Sequence, residues 1–253
     1  MRLRILPATV DHTPGQALSG YLVDDVIAID AGPLGASGSM EEQAKVQHIF
    51  LTHSHIDHIA GLPMFLDNNY GATTDCPTVY GLAGTLESLQ IDIFNGRVMP
   101  DFIGMSARMA PFLKLVELTP GNTLVVGPYS ITPIPVDHGV PTVGFVVGNG
   151  EDAFALFTDT RPIPGVLRTV ASIPSLRAIF LECSFPKRLQ SLAVASYHHS
   201  TDDFLAAARS LPNLPFYPIH IKPQFWDEIL GELRDAGLPN VRTVRPGDCI
   251  EIR

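Results

Sequence analysis

The chain has 253 residues, of which 45% are hydrophobic and 17% charged, and its formal net charge is −9. That length buries a large core within an ordinary α/β or two-sheet domain, and the low charge content excludes a largely disordered protein. The acidic balance, with no long basic stretch, disfavours large nucleic acids, whose binding rests on Lys and Arg at phosphates.

The apolar run after Met1 is too short for a signal peptide and no stretch approaches a membrane span, so a cytoplasmic location is the expectation. Residues 21–31 read as two β-branched runs around Asp24 and Asp25, hence a hairpin, with Gly32 and Gly35 marking a loop after it. Ser39 followed by Glu41, Glu42 and Gln43 has the pattern of a capped helix, expected to end near Gln47. Residues 49–52 form a brief apolar strand. A helix is expected from about residue 59 to 66, a strand over 78–82 and an amphipathic helix over 83–94. Residues 95–111, interrupted by Gly96, Pro100, Gly104 and Pro111, read as irregular. Residues 113–157 are strand and turn throughout, with a hairpin of 142–147 and 153–158 across Gly148-Asn149-Gly150. A strand at 178–181, a helix over 201–211 capped by Ser200 or Thr201, a strand at 216–221 and a helix over 225–236 closed by Gly237 complete the chain. No repeat or low-complexity linker divides it, which points to a single domain over 1–253. Two sheets packed face to face with helices outside would accommodate this order. Cys76, Cys183 and Cys249 are too few and too scattered for a disulfide framework; they suit a reducing compartment and are expected as small buried apolar residues.

The densest chemistry lies at His53, His55, Asp57 and His58, four potential metal ligands directly after an apolar strand in a chain with nine histidines. On a strand, positions 53, 55 and 57 share a face, and a turn would bring His58 to the same side. Imidazole with carboxylate suits zinc, with iron or manganese as alternatives. A second group of ligands has to come from far along the chain. His138, Asp159 and His220 each lie in or just after a strand; each alone is equally readable as a structural polar residue, and it is their common placement that joins them. Asp159 suits a bridge, because a carboxylate can bind two cations with its two oxygens. His12, His48 and His198 read as surface or packing residues.

Thr52-His53-Ser54-His55-Ile56-Asp57-His58 resembles the HxHxDH signature of the metallo-β-lactamase superfamily, and His138, Asp159 and His220 match that family's remaining ligands in order and type. The resemblance implies an α/β fold, the four-layer αββα sandwich. It also implies two divalent cations, most simply Zn2+, with Mn2+ or Fe2+ as alternatives. One would be held by His53, His55 and His138, the other by Asp57, His58 and His220, with Asp159 between them. The segments Phe180-Leu181-Glu182-Cys183-Ser184-Phe185 and His199-Ser200-Thr201 resemble the tRNA 3′-processing endonucleases and their phosphodiesterase relatives. By that resemblance Glu182 orients His199, which protonates the leaving oxygen. Residues 93–102, with Ile219-His220-Ile221-Lys222-Pro223, resemble the class II 3′,5′-cyclic-nucleotide phosphodiesterases. Met99 departs from that pattern, which would have an aromatic residue there, and so does His198-His199-Ser200-Thr201.

The expected reaction is therefore hydrolysis of a 3′,5′-cyclic nucleotide to a 5′-monophosphate. The attack would come from a hydroxide shared by the metals, with Asp57 as ligand and proton acceptor and with Glu182 and His199 completing the catalytic set. The expected partner is a small-molecule phosphodiester; no membrane is expected, and a homodimer is left open. Only 20 residues separate His138 from Asp159, too few for the basic arm that many tRNA-processing relatives insert there. That endonuclease activity, an arylsulfatase or a lactonase on the same metals, a diiron redox protein and a non-catalytic binding module are the alternatives.

Overall fold

The computed structural model describes residues 1–8, 16–71, 75–108 and 111–253; His12 lies outside them. The described residues divide into two compact units, Arg2–Ala8 with Leu18–Thr119, and Pro120–Arg253 with Met1, Gln16 and Ala17.

In the first unit, β1 (Arg2–Ile5) alternates Arg2 and Arg4 with buried Leu3 and Ile5 and pairs antiparallel with β2 (Tyr21–Val23). The expected hairpin then turns through Asp24 and Asp25, at φ 45 and 62, into β3 (Ile27–Ile29). Positive φ at both turn residues matches the right-handed twist of the flanking strands. Ser39 caps α1 (Met40–Gln43) through a reciprocal box with Glu42. This helix stops short of Gln47, because Val46 turns into the core as the chain enters β4 (His48–Phe50). Two helices, α2 (Ile56–Ile59) and α3 (Leu62–Asn69), lead to β5 (Thr78–Gly81). The expected 83–94 helix is α4 (Ala83–Ser88), continued over Leu89–Ile93 by a wider turn in which Phe94 N–H donates to the Leu89 carbonyl at 2.8 Å.

The supposedly irregular segment that follows contains α5 (Phe102–Arg108). Its start is set by the Asp101 carboxylate, which accepts the Gly104 N–H at 2.7 Å as an N-cap does, with Pro100 just before. The glycine and prolines masked that start signal. β6 (Lys114–Glu117) completes the order β1-β2-β3-β4-β5-β6, parallel from β3 onward. Ala28, Ile49, Leu51 and Val79 pack with Leu62, Phe65, Phe94 and Phe102 in one apolar cluster.

The second unit opens with β7 (Leu124–Val126), β8 (Tyr129–Val136), β9 (Thr142–Gly148) and β10 (Ala153–Phe157), an antiparallel run that includes the expected 142–158 hairpin. Next come α6 (Pro164–Ala171), β11 (Leu176–Glu182), α7 (Gln190–Ala195), α8 (Thr201–Ser210), β12 (Phe216–Ile219), α9 (Trp226–Ala236) and β13 (Cys249–Glu251). Ser200 caps α8 and Gly237, at φ 60, closes α9, both as expected. The sheet order is β12-β11-β10-β9-β8-β7, and β10, β11 and β12 are parallel. Ala155, Phe157, Ile179 and Leu181 pack with Leu167 of α6, Phe204 and Leu205 of α8 and Trp226 and Ile229 of α9.

Two mixed sheets with helices agree with the α/β class expected. Cys76 and Cys183 are buried, but Cys249 is exposed, because it shares the outward side of β13 with Glu251. Among the described residues no helix is long and apolar enough to cross a membrane. Parallel pairing has a functional consequence, since it brings the carboxyl ends of neighbouring strands to one edge, where side chains after the last strand residue converge. Asp30 and Thr52 follow β3 and β4 in this way, and Asp159, Glu182 and His220 stand at the ends of β10, β11 and β12.

Candidate metal centre

In the first unit the ligand run does not continue the strand. β4 ends at Phe50, residues 52–55 form a loop, and Asp57 and His58 lie in the first turns of α2, with His55 at its N-cap position. The shared strand face expected for 53, 55 and 57 is thus replaced by a loop and a helical turn, which converge nonetheless. The ring of His53 lies 4.6 Å from that of His55 and 4.1 Å from that of His58, centroid to centroid. Main-chain hydrogen bonds from Ser19 N–H to the Asp57 carbonyl, at 2.8 Å, and from Ala31 N–H to the His58 carbonyl, at 2.7 Å, pin the turn.

Beneath it lies Asp30, which sequence reasoning passed over as the end of a hairpin strand. It is fully buried, at φ 58, a left-handed conformation that Asp tolerates better than most residues. One carboxylate oxygen accepts the Thr52 N–H at 2.8 Å and hydroxyl at 2.9 Å; the other lies 2.7 Å from His58 Nδ1. With Nδ1 donating to this carboxylate, His58 presents the Nε2 lone pair as its ligand atom.

In the second unit Asp159 occupies the centre. Its Oδ2 lies 3.6 Å from His138 Nε2 and its Oδ1 lies 3.3 Å from His220 Nε2. His138 Nδ1 is 3.2 Å from the Tyr197 carbonyl, which can only accept, so Nδ1 carries the proton. The hydroxyl of Ser184 donates to Glu182 at 2.6 Å and lies 3.1 Å from His220 Nδ1, which leaves Nε2 of that ring as ligand too. His220 sits at φ 55, with its N–H held by the Gln16 side chain at 3.1 Å. Asp159, His198 and His220 offer ligand atoms within 4.8 Å of one another. Imidazole nitrogens freed by Nδ1 contacts, together with carboxylate, are a donor set that fits a divalent cation such as Zn2+.

The expected pairing of Glu182 with the His199 ring is not found. Glu182 is fully buried, and its carboxylate lies 3.0 Å from Nδ1 of His198. It also accepts N–H bonds from Thr160 at 2.5 Å and from His199 at 3.2 Å, the latter through the main chain. The His199 ring turns instead to the Thr160 carbonyl, 2.9 Å from Nδ1, and lines a small apolar pocket with Pro162, Ile163, Leu167 and Ala207. His198, expected as a surface or packing residue, is the imidazole held by Glu182, and its ring stacks on that of His220 at 5.8 Å. Nothing in the sequence separates two adjacent histidines by the direction of their rings. Burial, reinforced by the Asp159 charge, pushes the Glu182 carboxyl up to about 7, while burial lowers the His199 imidazole. Arg188 is paired with Glu228 at 2.8 Å.

A family model described as a beta-lactamase superfamily domain matches residues 25–221, which include the candidate ligands of both units. The chain belongs to this superfamily. Within it, a Yersinia pestis protein named "Probable 3′,5′-cyclic-nucleotide phosphodiesterase" is 26% identical over 221 residues, covering 77% of this chain. A Ribonuclease Z of Leuconostoc mesenteroides is 34% identical over 118 residues, 46% of this chain and 34% of its own. The chain spans only 62% of the length of the Yersinia relative. The structure of unliganded yeast PDE1 has the same fold, with a TM-score of 0.75 at 18% identity over 96% of each chain. The superfamily member described here therefore has a metallo-β-lactamase-type hydrolase fold and carries His/Asp clusters able to hold metal ions.

Proposed function

We propose that the protein is a two-metal phosphodiesterase that hydrolyses 3′,5′-cyclic nucleotides to 5′-monophosphates. The observation that carries this reading is the division of Asp159, one carboxylate oxygen facing His138 and the other facing His220. A carboxylate so divided between two imidazoles suits a ligand shared by two cations. In this reading residues 1–253 make a single catalytic domain. His53, His55 and His138 hold one cation, and Asp57, His58 and His220 hold the other. Zn2+ suits the donors, with Mn2+ or Fe2+ as alternatives.

Two such cations supply Lewis acidity toward the phosphoryl oxygens and a nucleophile at neutral pH. The remaining work falls to this chain's own side chains. Asp30 fixes the His58 ring, and Asp57 serves as ligand and proton acceptor. Glu182 holds the His198 ring so that it delivers a proton to the departing 3′-oxygen, the role that the sequence had suggested for His199. The substrate class is supported by the relatives named as cyclic-nucleotide phosphodiesterases and by the acidic charge. The segment between His138 and Asp159 is taken up by the β9–β10 hairpin, which leaves no arm for tRNA. A small diester in the cytoplasm fits these features, whether the protein acts as a monomer or a homodimer.

The test is a turnover panel on metal-analysed protein with cyclic AMP, cyclic GMP, bis(p-nitrophenyl) phosphate, an aryl sulfate and a tRNA precursor. Release of 5′-monophosphate from a cyclic nucleotide is the expected result. Cleavage of the tRNA precursor or the aryl sulfate with cyclic nucleotides untouched would overturn the reading.

A further inference from the structure

We infer that Arg161 and Tyr197 form a clamp that positions the His138 imidazole as a metal ligand. Tyr197 carries a Cβ yet sits at φ 62, a left-handed conformation that such residues adopt only where their surroundings impose it. Its carbonyl, so placed, is the partner of His138 Nδ1 at 3.2 Å, and the next residue places its ring on Glu182.

The turn that ends α7 sets this conformation, with His198 N–H donating to the Ala193 carbonyl at 2.9 Å and Tyr197 N–H to the Val194 carbonyl at 3.4 Å, and Arg161 braces that turn against the His138 and Asp159 segments. Its guanidinium carbon lies 3.7 Å from the centroid of the Tyr197 ring, a cation–π contact. One terminal nitrogen donates to the Val194 carbonyl in the last turn of α7, three residues before Tyr197, at 3.4 Å. The other lies 3.5 Å from the Asp137 carboxylate, and the Arg161 main-chain N–H donates to the Asp137 carbonyl at 2.8 Å. Asp137 precedes His138, and Arg161 follows Asp159 by two residues. One guanidinium thus ties together the three segments that carry His138, Asp159 and His198. Loss of the clamp unties this turn from Asp137 and lets the Tyr197 carbonyl shift away from His138. The ring is then no longer held with its proton on Nδ1 and its Nε2 lone pair toward Asp159.

The inference rests on His138 being a metal ligand, so its test has one readout with metal and one without. Zinc affinity is measured by competition with a chromophoric chelator, and the His138 tautomer is read in metal-free protein from its ring nitrogen shifts by NMR. The variants are Arg161→Ala, Arg161→Lys, Tyr197→Leu and Tyr197→Phe. Arg161→Ala and Tyr197→Leu are expected to weaken one of two zinc equivalents by about tenfold, in line with the loss of an outer partner of a ligating histidine. They are also expected to convert His138 from one tautomer to a mixture. Tyr197→Phe keeps the ring and stays at wild-type values, and Arg161→Lys falls between. A merely structural defect would weaken both equivalents together and leave the tautomer alone, which overturns the clamp. Unchanged affinity and tautomer in Arg161→Ala overturn it as well. If wild-type protein takes up no zinc, the two-metal reading fails, and the tautomer comparison still decides whether the clamp orients His138.

Discussion

Asp30 Oδ2 lies 2.7 Å from Nδ1 of His58, and neither side chain is exposed. The same carboxylate receives both donors of Thr52, whose hydroxyl in turn lies 3.0 Å from Nδ1 of His53. One buried carboxylate therefore sets the orientation of two candidate ligands at once. Asp30→Asn keeps the volume but gives up the charge and one acceptor. It is expected to weaken zinc binding about tenfold or more with the fold intact. Asp30→Ala also leaves the Thr52 N–H buried without its acceptor, which costs on the order of 1–3 kcal/mol of stability. Chelator competition and urea midpoints measure the two effects separately; equal zinc affinity in wild type and Asp30→Asn would show that His58 does not depend on this contact.

Glu182 separates the roles of the two adjacent histidines. Because its carboxylate meets the ring of His198 and only the main chain of His199, His198→Ala should lower kcat about a hundredfold on a poor alkoxide leaving group, the lower end of the range for general acid–base catalysis. The same change should matter far less for p-nitrophenolate, which leaves without a proton. His199→Ala is expected to have the smaller effect on kcat, and that effect should not depend on the leaving group. The reverse ranking across a leaving-group series would return the proton donor to His199.

These two cases mark what the sequence makes legible. His53, His55, Asp57 and His58 stand out because four ligands crowd into six residues, and His138, Asp159 and His220 because each follows or ends an apolar strand. The strand order that brings Asp159, Glu182 and His220 to adjacent strand ends is a matter of long-range pairing, which local patterning does not encode. Asp30 was hidden for a related reason, since a lone Asp after a strand looks like any turn residue until the partner strand puts Thr52 beside it. The ring directions of His198 and His199 depend on what packs around each, whereas the start of α5 has a local signal, Asp101, that Pro100 and Gly104 obscure.

The three cysteines should differ sharply in reactivity. Cys183 has no exposure, and burial pushes its thiol well above the ordinary range, so raising the pH to 9 still leaves it neutral and unreactive. Cys76 is also buried, whereas Cys249 is exposed. Native protein should release one equivalent of thionitrobenzoate from Ellman's reagent and unfolded protein three. Cys249→Ser should abolish the native equivalent, and rapid labelling that survives this change would place a second thiol at the surface.

Glycine at position 32 is required by packing against the turn that carries Asp57 and His58 rather than by its own φ. A Cβ there would collide with the Asp57 carbonyl and would come within 2.7 Å of the Ser19 carbonyl and 2.8 Å of its nitrogen. All three atoms are main chain: Ser19 N–H donates to the Asp57 carbonyl and the Ser19 carbonyl accepts the Gly32 N–H, so none yields as a flexible side-chain end would. Gly32→Ala should therefore destabilise by about 1–3 kcal/mol, as overpacking does, and weaken zinc at the Asp57 and His58 position. Gly84, an exposed position near the start of α4, offers the opposite case, for its Cβ would meet nothing within 4 Å. Gly84→Ala should stabilise by about 0.5–1 kcal/mol through helix propensity alone and leave metal binding untouched. Urea denaturation of both variants measures the contrast. A neutral Gly32→Ala would mean that the turn carrying Asp57 and His58 can shift without cost, and the rigid placement of those two ligands would have to come from elsewhere.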